Sequence, residues 1–173
     1  LTVGQIAVLT KPQIAAIDDA DVPSLTTAQI AALTTGQATA LTNGQLAALT
    51  TEQIAALENA DLAALSTAQI VTLSGAQIGA LTAAQIAAMT TAQIAAIEVA
   101  DLPSLTTGQV AALTSAQVVA LTTDQVAKGL TTAQVAALTT DNIAALETAD
   151  VAALTTNLVA ALTTSGVAAL TTA

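Results

Sequence analysis

The sequence repeats one unit of eight residues from its beginning to its end. The unit is L-T-T-x-Q-I-A-A, and close copies include LTTAQIAAL at residues 25–33 and LTTAQVAAL at residues 130–138. The frame gives 21 octads, with one residue inserted in the octad LTTDQVAKG at residues 121–129 and a remnant at residues 170–173. So short a period predicts stacked small elements that each pack only against their neighbours. We therefore expect residues 1–173 to form a single repeat solenoid, part of a longer protein.

Two positions of the octad predict where each helix begins. Position 2 is Thr or Ser in 17 octads and position 5 is Gln in 14, which together make the capping box of a helix N-terminus. The residues that follow are mostly good helix formers, whereas a strand would place positions 1 and 6 on opposite faces. One continuous helix is excluded because an eight-residue pattern drifts by about 80° per repeat around the helix axis. The prediction is an all-α solenoid of very short capped helices, one per octad, that join at sharp corners.

Composition restricts both the core and the partners of such a solenoid. The chain is 54% hydrophobic without any Phe, Tyr or Trp, so the core must consist of Leu, Ile, Val and Ala. Only Lys11 and Lys128 oppose 12 acidic residues, and the net charge of −10 argues against nucleic acid or anionic lipid as a partner. Polar residues interrupt every octad, which excludes membrane insertion because a spanning helix needs about 20 apolar residues. We interpret Lys128-Gly129 as a helix end with a cation and a left-handed glycine.

Strings such as LTTAQIAALTT and LTTGQVAALTSAQVVALTT resemble the octapeptide arrays of very large bacterial surface and adhesin-like secreted proteins. The resemblance covers nearly the whole chain. It implies an extracellular or cell-surface location and a non-catalytic stalk or filament segment, and it implies no catalytic residues.

Four octads depart from the common unit in the same way, because each has an acid at position 2 and Asp at position 5. An acid there can serve as a helix cap, and the second Asp can replace Gln near the positive end of the helix dipole. The alternative is a Ca²⁺ site, in which acids three residues apart share the ion with carbonyls and water. Stacked pairs could complete such a site only if 40 residues, the interval between the first three, made a whole number of coils. These metal candidates are Asp18, Asp21, Glu58, Asp61, Glu98, Asp101, Glu147 and Asp150.

The regular Thr positions raise a second binding hypothesis, which is an ice-binding face. Position 2 already has a structural purpose as a cap, and position 3 also accepts Val3, Lys11 and Asp19, so an ice-matched surface is the weaker interpretation. Without His, Cys, Arg or Tyr, the chain has only carboxylates and two lysines for acid–base chemistry. We expect no enzyme activity and no cofactor, a structural spacer or self-assembling filament element, and the chain itself as its partner.

Overall fold

The structure is a computed structural model that describes residues 1–170. These residues form one short helical element in each octad and no β-strand, which confirms the predicted all-α solenoid. None of these helices is long and apolar enough to cross a membrane. The α-helices are α1 (Val3–Ala7), α2 (Lys11–Ala15), α3 (Thr27–Ala31), α4 (Thr35–Ala38), α5 (Asn43–Ala48), α6 (Thr51–Ala56), α7 (Asn59–Ala64), α8 (Thr67–Ile70), α9 (Gly75–Ala80), α10 (Ala83–Ala88), α11 (Thr91–Ala96), α12 (Thr107–Ala111), α13 (Ser115–Val119), α14 (Thr132–Ala137), α15 (Thr140–Ala144), α16 (Thr148–Ala153), α17 (Thr156–Ala161) and α18 (Thr164–Leu170).

Three octads contain another type of helix. Residues Asp19–Ser24 and Leu102–Ser104 are 3₁₀ helices, and each contains the proline of its octad, Pro23 or Pro103. Residues Gln125–Gly129 form a π-helix in the octad that has the inserted residue. Proline removes a backbone donor and restricts the residue before it, so the two 3₁₀ helices occur where the sequence disfavours an α-helix.

The predicted capping box is present in the common octad. In α10, Thr82 Oγ1 accepts a hydrogen bond from the Gln85 N–H at 3.1 Å, and Gln85 Oε1 accepts one from the Thr82 N–H at 2.7 Å. The same box begins the helices after Thr2, Thr10, Thr26, Thr34, Thr42, Thr50, Ser66, Ser74, Thr90, Thr106, Thr114 and Thr131.

The corners between helices consist of two extended residues. After α10 the backbone is extended at Met89 (φ −61°, ψ 147°) and at Thr90 (φ −71°, ψ 157°), and α11 then begins. No residue within 1–170 has a positive φ. The chain therefore turns without left-handed glycines, as the lack of Gly after position 1 predicts.

One coil of the solenoid contains three octads. Each helical element packs on the element three octads away, so that α3 packs on α6 and α6 on α9, while α4 packs on α7 and α7 on α10. The structure thus has three sides. Side A contains α1, α3, α6, α9, the 3₁₀ helix Leu102–Ser104, the π-helix and α16; side B contains α2, α4, α7, α10, α12, α14 and α17; side C contains the 3₁₀ helix Asp19–Ser24, α5, α8, α11, α13, α15 and α18.

A continuous aliphatic core fills the space between the three sides. One cluster of buried Leu, Ile and Val side chains extends from Ile6 to Leu146. Position 6 faces the following coil, because Ile6 is buried in the first coil whereas Val159 and Val167 are 48% and 47% exposed in the last. Each coil therefore buries its apolar side chains only when it stacks on another coil.

The Gln at position 5 also links each coil to the one before it. Gln85 Nε2 donates to the carbonyl oxygens of Ile54 at 3.0 Å and Leu57 at 2.8 Å, which lie at the corner directly beneath Thr82. Gln37, Gln45, Gln53, Gln77, Gln93, Gln117 and Gln125 repeat both bonds to the residues 31 and 28 positions earlier. We call this row of side chains the glutamine ladder. The capping box alone did not predict it.

The inserted residue is absorbed by the π-helix, and the prediction of a left-handed glycine at Gly129 is wrong. Gly129 is buried without a positive φ, and Lys128 Nζ forms an exposed ion pair with Asp124 Oδ1 at 2.7 Å. A wider turn takes up one extra residue within the element, so the ladder resumes with all its partners shifted by one. Gln134 Nε2 donates to Leu102 O at 2.8 Å and Leu105 O at 2.7 Å, 32 and 29 residues earlier.

Candidate functional site

The three-octad coil determines which of the acidic octads can meet. Their first interval of 40 residues is five octads, which is not a whole number of coils, so the first three acidic pairs lie on sides C, B and A in turn. The interval of 49 residues between the third and fourth pairs is two coils plus the inserted residue, so both lie on side A. The π-helix lies between them, because it packs on Leu102–Ser104 and on α16.

The acids at position 2 are exposed at the start of their octads. Asp18 Oδ1 accepts a hydrogen bond from the Ala20 N–H at 2.9 Å, as expected of a helix cap. Glu58 and Glu147 precede α7 and α16, but their side chains make no capping bond. Glu98 stands before a turn that ends at Asp101.

The acids at position 5 differ in burial because they occupy the place of the ladder Gln. Asp61 and Asp150 are 2% and 3% exposed, whereas Asp21 lies in the first coil and is exposed. Asp150 Oδ1 accepts a hydrogen bond from the Thr123 hydroxyl of the coil beneath at 2.9 Å.

Asp61 has less polar support. Its Oδ2 atom is buried and has no hydrogen-bond partner. Burial raises the pKa of Asp61, and the nearby charge of Glu58 raises it further, while a hydrogen bond with the Thr35 side chain acts in the opposite direction. Asp61 is the buried carboxylate for which sequence reasoning gave no special place, although its position in the glutamine ladder distinguishes it.

The pairs remain too small to form a metal centre by themselves. Calcium takes six to eight oxygen ligands, and among residues 1–170 no three His, Cys, Asp or Glu side chains are grouped to hold one ion. The residues available to a metal are therefore single carboxylate pairs with nearby hydroxyl or carbonyl oxygens. Calcium binding at these octads stays a prediction.

The 40-residue spacing of the acidic octads also divides the chain into larger blocks. Four stretches match the model of the ALTTAQ repeat, at residues 14–51, 54–91, 94–128 and 143–173, and they cover most of the sequence. The chain belongs to the ALTTAQ repeat family. No curated protein matches it. Each ALTTAQ match begins three residues before an acidic octad, so one block of the first three consists of five octads, one of them acidic.

The ALTTAQ array has its irregular elements in successive coils of side A. The Cβ atom that alanine would add at Gly79 would lie 2.6 Å from Ser104 O, so glycine here admits the 3₁₀ helix that contains Pro103. In the next coil, a Cβ atom at Gly129 would lie 2.5 Å from Leu102 Cδ1. Gly75 stands where the Thr partner of a position-5 Asp would be, and its Cβ position is 2.9 Å from Asp101 Oδ1. Side A therefore combines close backbone packing with two acidic pairs, but the pairs are one coil apart from each other.

Proposed function

We propose that the chain is a structural spacer of an extracellular bacterial surface protein, without catalytic activity. The observation that carries this proposal is the glutamine ladder, which joins coil to coil through the same two carbonyl bonds along the array. Because the continuous aliphatic core has the same construction in each coil, adding octads lengthens the solenoid without a new type of contact. The resemblance to adhesin-like octapeptide arrays supports the location.

A second part of the proposal is association of the chain with itself. The first coil has exposed Gln5 and Gln13 amides, the donors that bond the preceding coil elsewhere in the ladder. The last coil has exposed Val159 and Val167, the type of side chain that a following coil covers. These two ends are complementary, so end-to-end stacking would repeat the contacts of the interior.

Electron microscopy with light scattering at several protein concentrations tests both parts. We expect rods, and a variant that lacks residues 49–72, one coil, should give rods that are shorter in proportion. Self-association predicts longer rods and filaments as the concentration rises. Compact particles that do not shorten with the deletion would overturn the spacer, whereas rods of constant length would overturn only the self-association.

The rival binding functions are tested on the same preparation. Ice binding predicts thermal hysteresis, and calcium binding predicts a rise of the melting temperature with Ca²⁺ that Glu147→Gln reduces. Either result would replace the spacer by a binding module as the main function.

A further inference from the structure

Asp61 occupies a position at which its neighbours in the glutamine ladder donate hydrogen bonds. In the octad before it, Gln53 Nε2 donates to Val22 O at 2.8 Å and Leu25 O at 2.7 Å. In the octad after it, Gln69 Nε2 donates to Leu41 O at 2.9 Å. The corresponding carbonyls for Asp61 are those of Ile30 and Leu33. An ionised carboxylate has no hydrogen to donate to them.

A side chain of the length of Asp can reach the second of these carbonyls. Asn142 also stands at position 5, is 3% exposed, and donates from Nδ2 to Leu113 O at 2.9 Å. Leu113 lies 29 residues earlier because of the inserted residue, so it corresponds to Leu33 in the octad of Asp61. Asn and protonated Asp have the same shape, and each has one oxygen that accepts and one group that donates.

The surroundings of Asp61 contain no cation that would stabilise its charge. Side B packs α7 between α4 and α10, and neither of these helices contains an ionisable residue. The charged group nearest in sequence is Glu58, one turn earlier and of the same sign, and Glu52 lies on the preceding helix. The buried Oδ2 atom without a partner is thus the atom that a proton would occupy.

We propose that Asp61 is a proton-dependent lock between two coils, in which the neutral carboxyl group donates from Oδ2 to the carbonyl oxygen of Leu33 and completes the glutamine ladder. Loss of the proton removes this bond and leaves a buried charge opposite a carbonyl oxygen, which weakens contact between α4 and α7. The folded chain holds the proton more tightly than the unfolded chain. The stabilisation is therefore fully present below the ordinary pKa of Asp and is lost as the pH rises through the higher pKa of the folded state.

Thermal unfolding of the full chain from pH 3.5 to pH 8 tests the lock through the variants Asp61→Asn and Asp61→Gln. At low pH the variants and the natural chain should melt at similar temperatures. At high pH the variants should melt about 2–4 °C higher, since a shift of this size is typical of one hydrogen bond in a chain of this length. Two variants are used because Asn copies residue 142 and Gln copies the common octad.

Asp21→Asn is the matched control, because Asp21 also stands at position 5 but is exposed in the first coil. Its difference from the natural chain should be the same at all pH values. A ¹³C titration of the side-chain carboxyl groups, assigned by the loss of one signal in Asp61→Asn, should show the Asp61 carboxyl protonated above the pH at which Asp21 ionises. The proposal is overturned if Asp61→Asn differs from the natural chain equally at every pH, or if both Asp61 variants are less stable than the natural chain at pH 8.

Discussion

At the scale of the residue, position 5 of the octad requires both a donor and an acceptor. Gln93 Oε1 accepts from the Thr90 N–H, while its Nε2 donates to Leu62 O and Leu65 O. Glu could keep only the first bond, and an aliphatic residue could keep neither. A single amide thus closes the start of one helix and joins it to the coil beneath.

Gln85→Met tests this double role in the interior of the array. Met preserves most of the volume but leaves the Thr82 N–H and the carbonyls of Ile54 and Leu57 without their partner. Since each unsatisfied buried polar group costs about 1–3 kcal/mol, we expect the free energy of unfolding to fall by roughly 2–5 kcal/mol. Denaturant titration followed by circular dichroism measures the change.

Gln13→Met is the matched control for that substitution. Gln13 is exposed and bonds only within its own capping box, so its replacement should cost less than about 1 kcal/mol. Equal losses at positions 13 and 85 would mean that the carbonyl bonds of the ladder add nothing to stability.

At the scale of the helical element, the N-cap determines where each short helix starts. Thr90 Oγ1 accepts from the Gln93 N–H at 3.2 Å, whereas Thr91 is the exposed first residue of α11. Thr90→Val should therefore lower the free energy of unfolding by about 1 kcal/mol, and Thr91→Val should leave it nearly unchanged. Chemical denaturation compares the two; a larger effect at Thr91 would show that position 3, not position 2, sets the start of the helix.

The π-helix gives a prediction about glycine. Alanine at Gly129 would bring its Cβ atom within 2.5 Å of Leu102 Cδ1 and 3.3 Å of Val99 O, so we expect a loss of about 1–3 kcal/mol. Gly108 has only Thr106 Oγ1 near its Cβ position, at 3.9 Å, and Gly108→Ala should instead stabilise α12 by about 0.5–1 kcal/mol. Melting temperatures that shift in the same direction for both variants would contradict this packing of the π-helix on Leu102–Ser104.

The sequence allowed the caps, helices and corners to be predicted because their determinants lie within one octad. Thr82 and Gln85, for example, are three residues apart, and their capping box is a local motif. The number of octads per coil depends on contacts such as that of Gln85 with Ile54, 31 residues earlier, and the octad motif does not specify that separation. For the same reason the burial of Asp61, and its difference from Asp21, followed only from the stacking of coils.

At the scale of the whole molecule, stability should depend on the number of coils. Each coil contacts only its neighbours, so chains that end at residues 48, 72, 96 and 120 contain two to five coils and fewer interfaces. We expect the chain of residues 1–48 to be largely unfolded and the unfolding midpoints to rise with each added coil toward a plateau. Circular dichroism against denaturant measures this series. A midpoint that is the same for all lengths would contradict stabilisation between neighbouring coils.

The five-octad block of the family and the three-octad coil of the structure have different periods. Each block moves its acidic octad to another side, from side C to side B to side A. A duplication of any whole number of octads preserves the ladder, because all its contacts are defined within three octads and the corner before them. The inserted residue is accommodated within a single element, and Gln134 recovers the ladder one octad later.

The glutamine ladder also has a direction, because every amide donates toward residues earlier in the chain. During synthesis on the ribosome, or passage through an export channel, those carbonyls are available before the Gln that binds them appears. Each coil can therefore close on a finished template about 30 residues after its partner emerges, and only the newest coil remains without a cover. Growth from one end in this way limits the length of unfolded chain exposed to aggregation at any moment, however many octads the complete protein contains.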